Sequence, residues 1–372
     1  MDLALCGTSA FRFHRTPPQI LSFYPPLKTD HPDPNHRAIA SSITTTELLG
    51  LPLQRLVLDQ NRRHNSSLYN TRYLKNELPR GSIQDTDFGF SVTSPAATLL
   101  TMAGRASRNH LLMATYEFCG SFSVFNPCRR VECDLEAAYE QGFIRPGEGW
   151  HRVENVDGMG TSLWSRRPLL TPEELRRFCD QADGFQGIKD LRWALSNLTG
   201  VTASPFEVQA SMLLGLPRAY GGEGFRILNN QRIQLSPSAR TLYPYNSCYA
   251  DILIEGGGSN AGVIIECQGR SVHASEAASI SDSDRTTALI SMGYEVILVT
   301  YDQITSLKSF NTVLDIIAKK AAIPIRLKTK RQLQAQNELR REIFIDWNTL
   351  CAQPRASKNK NAILGSQISS KR

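Results

Sequence analysis

Two short apolar runs, Gly262-Val263-Ile264-Ile265 and Val296-Ile297-Leu298-Val299, limit the folds open to this chain more than any other feature. Residues 262–268 and 295–300 read as strands, the second with the unbroken apolar run of a strand buried on both faces. Between them, residues 282–292 read as a helix ending at Gly293, whose missing Cβ suits a left-handed cap. Strand, helix and strand in that order form one β-α-β crossover. A helix opening at Ser204-Pro205-Phe206-Glu207 and stopping near Gly215 and Pro217 precedes it. Short strands near 225–228 and 232–235 follow, then a strand at 249–255, and a helix over 302–320 closes the region. The C-terminal third is therefore expected to be α/β (α+β), a mixed sheet flanked by helices.

Chemistry-bearing residues fall on the first hairpin. If strand 249–255 pairs antiparallel with 262–268 across the Gly256-Gly257-Gly258 loop, Asp251 lies opposite Glu266. Facing Cβ atoms in such a pair are about 5 Å apart, so two carboxylates can hold one divalent cation. Hard oxygen ligands suit Mg²⁺ or Mn²⁺, which would polarise a phosphodiester and activate a water. Acids flanked by Ile252, Leu253, Ile264 and Ile265 are poor strand formers and need a reason to be there. Strand alternation puts Gln268 on the face of Glu266. The glycine loop is followed by a strand rather than a helix, which excludes a dinucleotide-binding turn.

Asp251, the hairpin and Glu266-Cys267-Gln268 together resemble the PD-(D/E)xK nuclease superfamily. More closely, Ser204-Pro205-Phe206-Glu207, Ala250-Asp251, Glu266-Cys267-Gln268-Gly269, His273, Asp284-Arg285, Leu289, Gly293-Tyr294 and Val299-Thr300 resemble the very-short-patch-repair endonuclease-like families. That resemblance implies a restriction-endonuclease-like domain cutting DNA with Mg²⁺. It implies Asp251 and Glu266 as metal ligands, Glu207 as support for the ligand shell and His273 as an aid to proton transfer. Gln268 stands where the superfamily usually has Lys and the closer relatives Asp. Its amide can hydrogen-bond a water but brings no charge to lower the water's pKa. A capping box explains Glu207 without catalysis. Arg285, like Arg270, could contact a phosphate, and salt bridging along its helix explains it equally.

The 372 residues suffice for two domains. Residues 1–92 are rich in Pro, His, Asn and Arg with poor periodicity; Phe88-Gly89-Phe90-Ser91-Val92 alternates like a strand, and Ser94-Pro95 opens a helix. Cys6-Gly7-Thr8-Ser9-Ala10 and Thr93-Ser94-Pro95-Ala96-Ala97-Thr98-Leu99-Leu100 resemble bacterial proteins related to AbiEi-type antitoxins. This resemblance adds an antitoxin-like regulator, with a toxin-type or other defence partner, as the alternative to an enzyme. The expected divisions are a separate, mostly helical region at 1–165, a helical connector at 166–200, the nuclease-like domain at 201–320, and a basic helix and tail at 321–372. The break is placed in the Gly- and charge-rich stretch 147–165. A capping box at Thr171-Pro172-Glu173-Glu174 starts the first connector helix.

The formal charge of +7 is unevenly spread. Residues 319–372 hold thirteen Lys and Arg against three acids, leaving 29 basic against 32 acidic residues elsewhere. Lys319, Lys320 and the segment after them are therefore candidates to meet DNA, although a solvated tail would show the same run. The eight cysteines are scattered. Cys119, Cys128 and Cys133, with His110 or His151, match no zinc spacing, so free thiols of a cytoplasmic protein are expected. No apolar run is long enough for a bilayer, and Asp2 without a basic start argues against a signal peptide.

Overall fold

The computed structural model describes residues 3–28, 36–145, 149–155, 157–255, 261–269 and 276–350. It is a mixed α/β protein with three sheets. Among the described residues no helix is long and apolar enough to cross a membrane.

Twelve strands run along the described chain: β1 Ala4–Leu5, β2 Leu53–Val57, β3 Tyr69–Tyr73, β4 Ile83–Asp85, β5 Ser91–Thr93, β6 Phe122–Val124, β7 His151–Glu154, β8 Gly160–Ser165, β9 Ile227–Gln234, β10 Ser247–Ile254, β11 Gly262–Gln268 and β12 Tyr294–Thr300. The first five form a mixed sheet in the order β3-β2-β1-β5-β4, and β6-β8-β7 form a small antiparallel sheet. The N-terminal half thus carries two sheets where a mostly helical region was expected. Its strands are two to six residues long, so no hydrophobic period can develop along them, and β1, β2, β3 and β5 find partners well apart in the sequence. The glycine-rich stretch 147–165, read as a break, contains the β7–β8 hairpin.

The third sheet has the order β12-β11-β10-β9. β10 pairs antiparallel with both β9 and β11, while β11 and β12 are parallel around the helix Glu276–Ser291, as the crossover requires. Gly293, at φ 85°, takes the left-handed turn into β12. The strands expected near 225–228 and 232–235 are one strand, β9, in which Asn230 takes a left-handed φ of 48° without ending the pairing with β10. The helix expected over 302–320 is two, Tyr301–Thr305 and Leu307–Lys320, each capped by its own Thr or Ser.

One apolar core joins the two halves. Leu99, Tyr116 and Phe118 of the N-terminal half pack in the same cluster as Phe206, Leu213, Ile252, Ile265, Phe310 and Trp347. The basic helix Lys330–Ile343 enters it through Leu339 and Ile343. Its Arg340 is buried, donating to the Ile304 carbonyl at 2.8 Å and lying over the rings of Phe310 and Phe344. Part of the positive charge read as a nucleic-acid contact is therefore spent inside the protein.

Candidate functional site

The helix Pro205–Gly215 lies against β9, β10 and β11, on the sheet face carrying Ile252, Ile254, Val263 and Ile265. Ser204 caps it, its Oγ accepting the Glu207 backbone N–H at 3.2 Å. The Glu207 carboxylate reaches back: Oε2 accepts the Ala203 N–H at 2.7 Å and Oε1 the Ser204 hydroxyl at 2.9 Å. The capping explanation of Glu207 is thus realised. Yet Glu207 is also buried and within the field of the hairpin acids.

The hairpin has the expected register: Ile252, Leu253 and Ile254 of β10 face Ile265, Ile264 and Val263 of β11. Its pairing ends there, one step short of Asp251 and Glu266. In place of a main-chain acceptor, Oδ2 of Asp251 takes the Cys267 N–H at 2.8 Å. The two acids sit where the strands part, which leaves the Cys267 N–H to fix Asp251 by a charge-assisted hydrogen bond. Asn229, buried on β9, braces this point. Its Nδ2 donates to the Asp251 carbonyl at 3.0 Å and to Ser211 Oγ at 2.7 Å, and Ser211 Oγ donates to the Glu207 carbonyl at 2.6 Å. One amide therefore ties the helix of Glu207 to the strand of Asp251. The sequence hint was an Asn inside a strand, which reads first as a turn.

The three acids act on one another electrostatically. Burial first, then Asp251, raises Glu207 from 4.5 to about 8. Burial and Asp251 likewise raise Glu266 to about 7, against the pull of Arg285. Burial also raises Asp251, partly countered by the Cys267 N–H and Arg285. The Cys267 thiol feels all three, and burial together with their charge pushes it well above its ordinary value. An acid cluster like this retains protons or takes a cation.

A pH dependence follows. Glu207 and Glu266 titrate higher folded than unfolded, so their contribution to stability is present below about pH 4.5 and is lost as pH rises through about 8. In EDTA the melting temperature should fall by several degrees between these limits, and Glu207→Gln should flatten the fall. Equal slopes for the two proteins would mean that Glu207 is not the group responsible.

Arg285, on the helix Glu276–Ser291, does more than pair along its own helix. Its Nη2 lies 2.9 Å from Oε2 of Glu266 and its Nη1 donates to the Tyr249 carbonyl at 3.2 Å, while Asp282 is a looser partner at 3.9 Å. Gln268 is exposed at the end of β11, in register with Thr300. Arg270 and His273 lie outside the described residues. Lys319 is exposed on the last turn of Leu307–Lys320, and Lys320 pairs with Glu295 at 2.6 Å. Cys119, Cys128 and Cys133 are free thiols, buried, half-buried and exposed respectively.

Among the described residues no three His, Cys, Asp or Glu side chains are spaced to hold a metal ion. Both Glu207 oxygens already accept a hydrogen bond at the helix start, which makes it a weaker candidate ligand than the hairpin pair. The pair does fit a hard cation. Glu266 Oε1 is buried without a hydrogen-bond partner, an unmet acceptor beside a second carboxylate. Mg²⁺ needs only one or two carboxylates, with water and phosphate oxygens supplying the rest.

No protein-family model, curated protein or solved structure matches the chain.

Proposed function

We propose that the chain is a divalent-cation-dependent DNA endonuclease of bacterial defence or repair, acting at Asp251 and Glu266 in a restriction-endonuclease-like C-terminal domain. The observation that carries this reading is the unpartnered Oε1 of Glu266, buried beside Asp251 where β10 and β11 separate. Bound Mg²⁺ or Mn²⁺ supplies a Lewis acid that polarises the scissile phosphate and lowers the pKa of water. The chain's residues supply the setting. Asp251 is oriented by the Cys267 N–H, Asn229 fixes its strand against the helix of Glu207, and the exposed Gln268 offers an amide to align water. Glu207 supports the ligand shell from the helix start, its carboxylate held by the Ala203 N–H and the Ser204 hydroxyl.

A second reading has specific support. Arg285 already neutralises Glu266, and Gln268 has no charge to activate water. Both suit a nuclease fold that binds DNA or a toxin-type partner without cutting. Supercoiled plasmid incubated with Mg²⁺ or Mn²⁺ separates the two. Cation-dependent nicking that disappears in Glu266→Ala supports the enzyme. Salt-sensitive DNA binding with no nicking in the wild type supports the regulator and removes the enzyme.

A further inference from the structure

The Glu266–Arg285 pair has an unusual balance. The side chain of Glu266 is 8% exposed and that of Arg285 23%, so the pair is largely withdrawn from water. Each partner nevertheless keeps a buried polar atom without a hydrogen bond: Oε1 of Glu266 and Nε of Arg285. A pair built for stability alone would have both satisfied, because an orphaned buried donor or acceptor is left desolvated without compensation. The guanidinium is also hung from the wrong side to be a simple helix-surface partner. It comes from Glu276–Ser291 and is anchored on β10 through the Tyr249 carbonyl, two residues from Asp251. Burial pulls Arg285 down, but Glu266, Asp282 and Asp251 together hold it above its ordinary value, so it stays charged at every working pH.

We propose that Arg285 is an internal stand-in for the cation: it rests on Glu266 of the Asp251–Glu266 pair and sets how tightly a divalent ion can bind there. This rests on the reading of that pair as a cation site. A fixed positive charge within a few ångströms of a second cation opposes its binding, and low local dielectric strengthens the opposition. The same guanidinium holds the Glu266 carboxylate in place through its 2.9 Å contact. Arg285 is thus a positioning residue whose main effect is on affinity for the ion.

The test is Mn²⁺ titration of the full chain by calorimetry at pH 8, with Arg285→Gln and Arg285→Lys beside the wild type. Arg285→Gln should bind Mn²⁺ at least about tenfold more tightly, as expected from removing one unit charge at short range. Arg285→Lys, which keeps the charge, should stay within about threefold of the wild type; a purely structural role would weaken both variants. Melting curves in EDTA confirm that each variant is folded, and if Arg285→Gln does not fold, the Lys variant and Arg285→Met carry the comparison. Wild type and folded variant binding Mn²⁺ equally, or the neutral variant binding it more weakly, overturns the stand-in role and leaves the cation site intact. Absence of Mn²⁺ uptake by wild type and variants alike overturns both the stand-in and the cation site.

Discussion

Glu266→Ala should lower cation-dependent plasmid cleavage by at least about 10³-fold, because it removes several kcal/mol of Lewis-acid assistance, with each factor of ten worth about 1.4 kcal/mol. Glu266 is singled out among the three acids by what its oxygens already do. Glu207 gives both to the start of its helix, and Asp251 gives one to the Cys267 N–H. Glu266 alone among them has a buried oxygen with no partner. Glu207→Gln, which keeps the side-chain shape, should cost far less rate. The measurement is the initial rate of conversion of supercoiled to open-circular plasmid at fixed Mg²⁺. Cleavage by Glu266→Ala at the wild-type rate would place the chemistry elsewhere.

Glu117→Ala should destabilise the protein by about 3–5 kcal/mol, the usual cost of removing one partner of a buried ion pair. Glu117 is fully buried on the helix Arg108–Cys119, and all its lone-pair directions are used. Arg15 donates to both oxygens at 3.0 and 2.8 Å, Ser123 Oγ and the Val124 N–H donate to Oε1, and Trp347 Nε1 donates to Oε2 at 2.6 Å. One carboxylate therefore bolts the N-terminal helix, the central helix and the C-terminal Trp347 together. Without it, the Arg15 charge and the Trp347 N–H are stranded in an apolar core. Urea unfolding should show a lowered midpoint. Adding Arg15→Met to Glu117→Ala should recover part of the loss but not all of it, since Trp347 and Val124 stay unpaired. A midpoint unchanged by Glu117→Ala would mean that water replaces the carboxylate.

Local rules made the C-terminal third legible, together with some helix starts before it. Strand β11 lies on the expected residues, Ser94, Thr171 and Ser204 cap the expected helices, and Gly293 turns the chain into β12. These elements follow from periodicity and capping, which act over a few residues. The N-terminal half was opaque for the converse reason: β1 is two residues long and exists only because β2 and β5, whose Leu56 and Ser91 pair with Ala4 from 52 and 87 residues further on, lie on either side of it. The sequence likewise marked Asp251 and Glu266 as misfits in apolar strands and Glu207 as a capping residue, but an Asn inside a strand did not by itself identify Asn229 as their brace, and nothing marked Arg340 as a buried side chain.

By itself, then, the sequence determined which acids share a hairpin and in what register, because alternation along paired strands leaves no freedom once the loop is placed. Only the tertiary structure decided that the ladder stops one step before those acids, that Glu207 comes within their field, and that a guanidinium from the crossover helix rests on Glu266. Those outcomes depend on the packing of distant elements and on burial, which turns three ordinary carboxylates into a proton-holding cluster, and neither is encoded in any short stretch of residues.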